Sequence, residues 1–391
     1  IAGKFEEKQV FELVAKYFGN IPMGPEVADM LAMPVTLPND RYISYEDNIQ
    51  FPYVSLTFPT APANTKDEVA LDALAYLLGG NGNKKSPLYQ KFVKTQKAMQ
   101  ASASNPTSEL AGQFTFSVFA FPGKSLTDLE QELRGIIDSF DVLPIDTTIF
   151  EEYVTSEYAN LMYGLQSVQR KGSLLASYET FTGNPSHLQL LIKYMKELTI
   201  EDVRAVYNKY IKNQHSVVLS VYAKDNPENI AATDNYKRPE FPADFKADLS
   251  EYDSLTYVKG KDDFDRTQQP APGENPIVQV PKFWHQTWSN GTKVIGTPYT
   301  ELPLTNITLV YKAGHLLEPL EKSGVASILA QMLKEGTVQF TSEEFQSELK
   351  KIGTSINVNT DETDMVISLT TLNENLNRSI ELLNAMLLTP R

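Results

Sequence analysis

Residues 323–337 read SGVASILAQMLKEGT and follow a strand-like run, ITLVYKAG, at residues 307–314. Apolar residues recur in this stretch at intervals of three and four, which predicts a helix over residues 323–335 with a packed apolar face. That face comprises Val325, Ile328, Leu329, Met332 and Leu333. Gly336 is typical of a helix end. No His, Asp or Cys lies in the stretch and its one Glu falls in the closing turn, so the helix has few side chains for chemistry.

Composition excludes several classes of protein. The chain has 391 residues, which is more than one typical domain, and its hydrophobic fraction of 41% is sufficient for buried cores. Its net charge of −14, without a basic cluster, argues against nucleic acid as a partner. The chain has no cysteine, which excludes disulfides and thiolate metal sites. No apolar run reaches the roughly 18–20 residues that a membrane span needs.

Helical and alternating apolar patterns predict a mixed series of helices and strands before residue 225. They are helix 4–18, strand 51–59, helices 65–78 and 86–96, strands 98–105 and 112–121, helices 125–140, 146–171, 186–196 and 200–211, and strand 216–224. Thr65 with Glu68 matches the spacing of a capping box, and Thr199 with Asp202 is an acidic variant of it.

Residues 225–282 are rich in proline and poor in apolar periodicity, which is typical of a linker. Asn290-Gly291 then predicts a β-hairpin. The elements that follow are strand 307–312, helices 323–335 and 341–352, strands 355–359 and 364–371, and helix 373–388. Their order repeats that of residues 52–140, which indicates two copies of one unit, although chance agreement of so generic an order is an alternative. We therefore predict an α+β fold of repeated two-layer units, each with a largely antiparallel sheet packed against helices.

Side chains that carry chemistry are sparse. No two of the four histidines, His187, His215, His285 and His315, are spaced for a helical metal site, so each is interpreted as a surface or packing residue. A G-x-S-x-G elbow is absent, and GGNGNKK at residues 79–85 is interpreted as a helix stop rather than a phosphate loop. The acidic pairs Glu151-Glu152 and Glu343-Glu344 are predicted to be solvated.

Four segments resemble the insulinase/pitrilysin-type zinc metallopeptidases. They are KFEEKQVFELVAKYFGNIP at 4–22, SPLYQKFVKTQKAMQASAS at 86–104, ELAGQFTFSVFAFPGKSL at 109–126, and the stretch from SNGTKVIG to MLKEGT at 289–337. The resemblance is greatest to long bacterial members built from four units. It implies a metallopeptidase-like fold with the tail of a catalytic unit at 1–25, a non-catalytic unit at 26–224, a Pro-rich linker at 225–282, and the first half of a second, inactive unit at 283–391.

Active units of this family carry H-x-x-E-H, where two histidines on one helix face ligate zinc and the glutamate is the base for the zinc-bound water. The resemblance places Ser327 and Gln331 at the ligand positions and Ala330 at the base position, so all three roles are lost. An Arg and a Tyr that bind substrate in the family correspond to Val93 and Gln100. The resemblance therefore implies no catalytic residue, metal ligand or cofactor in this chain, with zinc in a separate catalytic unit.

The expected function is that of a non-catalytic portion of a zinc metalloendopeptidase, which forms a chamber wall and a substrate-confining surface. The expected partners are a peptide substrate and the preceding catalytic unit, with no nucleic acid and no membrane span. The resemblance favours an extracytoplasmic, periplasmic location. An alternative is a catalytically inactive family homologue that acts as a binding or scaffold subunit.

Overall fold

The computed structural model describes residues 1–21, 30–32, 35–80, 83–142, 144–224, 226–237, 246, 250, 261–269, 277 and 280–391. The chain divides into two units, one formed by Ile1–Met30 and Arg238–Thr300 and the other by Leu31–Lys237 and Glu301–Arg391. Much of the predicted linker at 225–282 lies outside the described residues. The domain boundaries expected from the sequence stay predictions.

The helices and strands follow the predicted series closely. The helices are α1 (Glu7–Phe18), α2 (Lys66–Gly79), α3 (Leu126–Ser139), α4 (Thr147–Gly164), α5 (Val168–Thr182), α6 (His187–Lys196), α7 (Ile200–Tyr210), α8 (Val325–Met332), α9 (Ser342–Lys351) and α10 (Leu376–Leu388). The strands are β1 (Arg41–Asp47), β2 (Tyr53–Thr60), β3 (Ala98–Ser104), β4 (Gly112–Ala120), β5 (Val217–Ala223), β6 (Trp284–Thr287), β7 (Lys293–Gly296), β8 (Leu304–Tyr311), β9 (Ser355–Thr360) and β10 (Met365–Leu372). None of the helices in the described ranges combines the length and apolar character that a membrane crossing needs.

The unit formed by Ile1–Met30 and Arg238–Thr300 contains α1 and a β-hairpin. The hairpin pairs β6 with β7 in antiparallel register, and Gly291 has a φ of 83° in its loop, as the Asn290-Gly291 signal predicts. At the end of α1, the Tyr17 ring contacts Phe264 edge to face at 4.8 Å. The Arg266 guanidinium donates to the Tyr17 carbonyl oxygen at 2.9 Å.

The residues Leu31–Lys237 of the second unit contain a sheet with the strand order β1-β5-β2-β4-β3. β1 pairs with β5 in parallel, and all other neighbouring strands of this sheet pair in antiparallel orientation. The sheet is therefore largely antiparallel, as the sequence predicts. Val54, Leu56 and Phe58 of β2 are buried against the helices, so the alternation in the sequence identifies the core face. β1 was not predicted, because its residues are half-buried or exposed and lack apolar alternation.

The residues Glu301–Arg391 of the same unit contain a second sheet with the order β8-β10-β9, in which both pairs are antiparallel. This order matches β2-β4-β3, so the described strands repeat the topology that the sequence predicts. Phe345 of α9, Ile367 and Leu369 of β10, and Met386 of α10 form its core.

Two predicted helices of the first sheet region differ from the observed ones in their internal organisation. Residues 146–171 form two helices rather than one, because α4 ends at Gly164 and the Ser167 hydroxyl starts α5 by accepting from the Arg170 N–H. The helix predicted at 86–96 contains a π-helical turn at Tyr89–Val93.

The two predicted capping boxes have different outcomes. Thr199 and Asp202 form the complete reciprocal box at the start of α7. At α2 the Thr65 hydroxyl accepts from the Glu68 N–H, whereas the Glu68 carboxylate accepts from the Asn64 N–H at 2.6 Å.

Helix α4 packs against the second sheet. Ala159 and Met162 of α4 share an apolar cluster with Leu304 and Leu372. The Tyr163 hydroxyl donates to the Gly353 carbonyl oxygen and lies 3.0 Å from that of Thr370. Because these carbonyl groups are partly buried, the tyrosine hydroxyl satisfies acceptors that water reaches poorly.

Tyr163→Phe is expected to lower the free energy of unfolding by about 1–2 kcal/mol, because it removes a hydroxyl that bonds two carbonyl groups. Urea unfolding at pH 7 measures the change. Tyr158→Phe is a matched control on the same helix, since the Tyr158 hydroxyl makes no hydrogen bond to the described residues. Equal effects of the two substitutions would contradict the bridging role of Tyr163.

Candidate functional site

Helix α8 contains the positions that correspond to the zinc-binding motif in the family resemblance. A carboxylate, that of Glu318, accepts hydrogen bonds at the start of this helix. Gly324 precedes the helix with a φ of 97°, in the left-handed region that favours glycine. The Glu318 carboxylate accepts from the N–H groups of Gly324 and Ala326, both at 2.7 Å, and lies 3.0 Å from His315 Nδ1. The backbone hydrogen bonds from Gly324 and Ala326, together with the one from His315, hold the pKa of Glu318 below its usual range. Glu318 therefore caps the N-terminal end of α8.

The three positions that would carry H-x-x-E-H lie on α8. Ser327 is half-buried, Ala330 is buried against the core of the second sheet, and Gln331 is exposed. Hydroxyl and amide groups are weak zinc ligands, and a methyl group cannot transfer a proton. Across the described ranges, no three His, Cys, Asp or Glu side chains are placed to hold a metal ion.

The other two predicted positions lie in the first sheet region. Val93 ends the π-helical turn and is half-buried, whereas Gln100 is exposed on β3, where it pairs with Phe119. Among the described residues, no hydrogen bond or ion pair joins Val93 or Gln100 to Ser327, Ala330 or Gln331. The roles assigned to all five positions stay predictions.

Four of the five apolar residues predicted to pack on this helix are exposed, whereas the fifth, Leu333, packs against the core of the second sheet. Val325, Ile328, Leu329 and Met332 are 46%, 58%, 48% and 57% exposed, and of this helix only Ala326 and Ala330 are buried. The helix also ends at Met332, short of the predicted residue 335. Helix α2 occupies the place in the first repeat that α8 occupies in the second. Helices α4, α6 and α7 cover α2, whereas in the described part of the chain α8 packs mainly on β9.

Glu152 is buried, so the prediction of a solvated Glu151-Glu152 pair was wrong for this residue. Its carboxylate accepts from the Ser347 hydroxyl of α9 and lies 3.9 Å from Lys85 Nζ. Glu151 is exposed, as predicted. Glu152 and Ser347 are far apart in the sequence, so the pattern of residues within α4 could not predict their contact.

A cavity of about 750 Å³ lies beside this contact, between α2 and α4 on one side and α9 and β9 on the other. Its lining contains acidic, aromatic and basic side chains: Asp72, Glu157, Tyr76, Tyr153, Lys84, Lys334 and Lys350. Lys350 Nζ lies 5.5 Å from the centroid of the Tyr76 ring. Sequence reasoning did not identify this cavity. The available signal was Asp72 itself, a charge inside the otherwise apolar run VALDALAYLL.

Titratable groups in the cavity are strongly perturbed. Burial, with the nearby charges of Glu68 and Glu157, raises the pKa of Asp72 to about 7, although the amide of Asn105 opposes the shift. Burial also raises the pKa of Glu157 and lowers that of Lys350. Perturbed groups in a cleft are typical of functional sites.

Glu318→Gln is expected to lower the melting temperature at pH 7, because an amide caps the start of α8 less well than a carboxylate. The pKa of Glu318 is lowered by folding, so its stabilisation is present at neutral pH and is lost as the carboxylate is protonated. The difference from the wild-type protein should therefore shrink below about pH 4. Thermal scans at pH 7 and pH 3.5 test this, with Glu321→Gln, an exposed neighbour, as the control. A pH-independent difference would contradict a charge-dependent cap.

Asp72→Asn is expected to stabilise the protein at high pH. Because folding raises the pKa of Asp72, ionisation of the buried carboxyl reduces stability as pH rises from about 4 to about 7. The variant should gain about 1–3 kcal/mol relative to wild type between pH 5 and pH 8, measured by urea unfolding. Asp234→Asn, at an exposed position, should show no such trend. An equal effect of Asp72→Asn at pH 5 and at pH 8 would contradict a raised pKa of the Asp72 carboxyl.

Comparison with known proteins places these features in one family. A family model described as the peptidase M16 inactive domain matches residues 1–156, and one described as insulinase (peptidase family M16) matches residues 298–391. The zinc protease PqqE of Helicobacter pylori is 24% identical over 230 residues, which are 56% of this chain and 50% of that protein. The chain thus spans about half the length of this relative.

Solved structures of two proteases are among those similar to this chain. A protease from Helicobacter pylori is 24% identical, with a TM-score of 0.47 over 56% of this chain and 53% of that one. The periplasmic protease PqqL from Escherichia coli is 14% identical, with a TM-score of 0.47 over 99% of this chain and 44% of that one. Both matching models describe domains of one family, so residues 1–156 and 298–391 of this chain are similar to peptidase family M16, the insulinase family.

Proposed function

We propose that this chain is the non-catalytic portion of a zinc metalloendopeptidase that degrades peptides, and that it helps to confine the substrate. The proposal rests on α8, where Ser327, Ala330 and Gln331 have side chains that ligate zinc weakly or cannot act as a base. A zinc ion that activates water needs three protein ligands and an open position. The proposal therefore assigns zinc and peptide hydrolysis to a separate catalytic unit.

Ala330 supports an inert role for α8 because of its environment as well as its chemistry. It is only 4% exposed and packs in the same core as Phe345 and Leu383. A glutamate at this position would be buried among apolar side chains, where an unpaired charge is costly. This position of α8 thus contributes to packing.

The exposed face of α8 supports the confining role. Val325, Ile328, Leu329 and Met332 form a continuous apolar strip, as residues three and four apart lie on one helix face. Exposed apolar patches mark surfaces that contact other protein segments. Unfolded peptides expose apolar side chains, and we propose that this strip contacts them or the catalytic unit.

The alternative function, an inactive homologue that acts as a binding or scaffold subunit, shares the same inert helix and apolar strip. It differs in one respect, which is whether H-x-x-E-H occurs elsewhere in the polypeptide. We further propose an extracytoplasmic, periplasmic location, with which the absence of cysteine is compatible.

The purified chain is expected to contain no stoichiometric zinc, to leave an internally quenched unstructured peptide intact, and to bind that peptide reversibly. Elemental analysis, fluorescence release and fluorescence anisotropy measure the three properties. Ile328→Gln should weaken peptide binding by roughly 3- to 10-fold, since it removes apolar area from the strip. Val142→Gln is the matched control, because Val142 is an exposed apolar residue outside the strip.

One tightly bound zinc ion per chain, or zinc-dependent hydrolysis of the peptide, would contradict the non-catalytic assignment. Equal peptide affinity of the Ile328→Gln variant and the wild-type chain would instead reject the strip as the confining surface.

A further inference from the structure

The loop of the β6–β7 hairpin folds an asparagine side chain towards the peptide bond that follows it. Asn290 Oδ1 accepts from the Thr292 N–H at 3.0 Å. The ring closed by this hydrogen bond contains Asn290 Cγ and the Gly291 nitrogen, so the side-chain amide lies on the side of that nitrogen. Attack on Cγ would place negative charge on Oδ1, and the Thr292 N–H is already positioned to stabilise it.

The glycine at the next position leaves its own nitrogen accessible. Gly291 has a φ of 83°. Apart from its chain neighbours, no heavy atom of the described residues lies within 4 Å of the place where a Cβ would be. Asn290 and Gly291 are both exposed to water. Because glycine has no Cβ, no side chain at residue 291 hinders a reaction of this nitrogen.

One hydrogen bond must open before the Gly291 nitrogen can react. The Gly291 N–H donates to the Trp288 carbonyl oxygen at 2.9 Å. In the described part of the chain, β6 and β7 form a two-stranded sheet of their own, and every residue of β6 is exposed. Two-stranded hairpins are marginally stable in water, so the loop opens at low energetic cost.

We propose that Asn290 is a site of spontaneous deamidation, which requires only water and hydroxide. The Gly291 nitrogen loses its proton to hydroxide and bonds to Asn290 Cγ, and the side-chain nitrogen takes a proton from water and leaves as ammonia. A cyclic succinimide results. Water then adds to one carbonyl group of the ring and breaks its C–N bond. Cleavage at the side-chain carbonyl gives aspartate, and cleavage at the backbone carbonyl gives isoaspartate.

The products change the hairpin as well as its charge. Each adds a carboxylate to a chain whose net charge is already −14. Isoaspartate also routes the backbone through the former side chain, which adds a methylene group to the loop. The hydrogen bond from the Trp288 N–H to the Thr292 carbonyl oxygen, at 2.9 Å, depends on the length of this loop. Isoaspartate should therefore disrupt strand pairing next to the loop. The site does not depend on the peptidase role proposed above.

Asn213, in the other unit, is a matched control within the same chain. It is exposed, and the N–H of the following residue, Gln214, donates to the Ile211 carbonyl oxygen at 3.1 Å. This arrangement matches that of Gly291 and Trp288. Two features differ: Gln214 has a side chain, and no backbone N–H of the described residues donates to the side chain of Asn213.

Incubation of the purified full chain between pH 6 and pH 8, followed by peptide mass spectrometry, measures deamidation at each asparagine. We expect Asn290 to react at least about tenfold faster than Asn213, because glycine follows it. The rate should rise with pH, since the attacking nitrogen must lose a proton. Methylation by an isoaspartyl methyltransferase identifies isoaspartate. Both tryptophans of the chain, Trp284 and Trp288, lie in the hairpin, so tryptophan fluorescence should change as isoaspartate forms.

Substitutions in the loop test the role of the Thr292 N–H. Thr292→Pro removes this donor and should slow deamidation severalfold, whereas Thr292→Ala keeps the donor and should react at the wild-type rate. Asn290→Asp has the aspartate product from the start and is the reference for a fluorescence change that is caused by charge alone.

Equal rates at Asn290 and Asn213 would overturn the proposal, and this comparison needs no variant. An Asn290 peptide that stays unmodified at pH 8 while Asn213 reacts would overturn it as well. Equal rates in the Thr292→Pro and Thr292→Ala chains would reject the assistance of the Thr292 N–H.

Discussion

A close approach between α4 and the turn after α9 determines how the second unit is assembled. Gly353 has a φ of 55°, and a Cβ atom there would lie 2.7 Å from the Cβ of Ala159. Only glycine allows this contact without a shift of one element. The contact places the Tyr163 hydroxyl at the carbonyl groups of Gly353 and Thr370 and the Glu152 carboxylate at Ser347.

The repeated series of helices and strands packs differently in its two occurrences. In the first, β5 pairs with one edge of β2, and α4, α6 and α7 cover α2. In the second, the described residues pair β8 with β10 alone and leave the apolar strip of α8 exposed. Among the described residues, the same helix position is thus a core element in one occurrence and has an exposed apolar face in the other.

Sequence patterns predicted the local elements because strand alternation and helix capping depend on neighbouring residues. β2, the Thr199 capping box and the Asn290-Gly291 hairpin follow from such short-range rules. The exposure of Ile328 did not follow, because periodicity identifies an apolar face but not what covers it. Glu152 and Asp72 were missed for a similar reason, since their surroundings come from helices distant in sequence.

Two acidic residues, Glu152 of α4 and Asp72 of α2, differ in how the described fold compensates their charge. Glu152 has a hydroxyl donor and a nearby lysine, so its burial is compensated within the described fold. Asp72 is partly buried and has one neutral donor and two like charges nearby, so its charge is less well compensated by these groups. A helix whose neighbours at this position are Leu71 and Ala73 would pack equally well with a neutral residue. The pKa of Asp72 is therefore raised by burial and by the charges of Glu68 and Glu157, whereas the Ser347 hydroxyl and the Lys85 ammonium compensate the charge of Glu152.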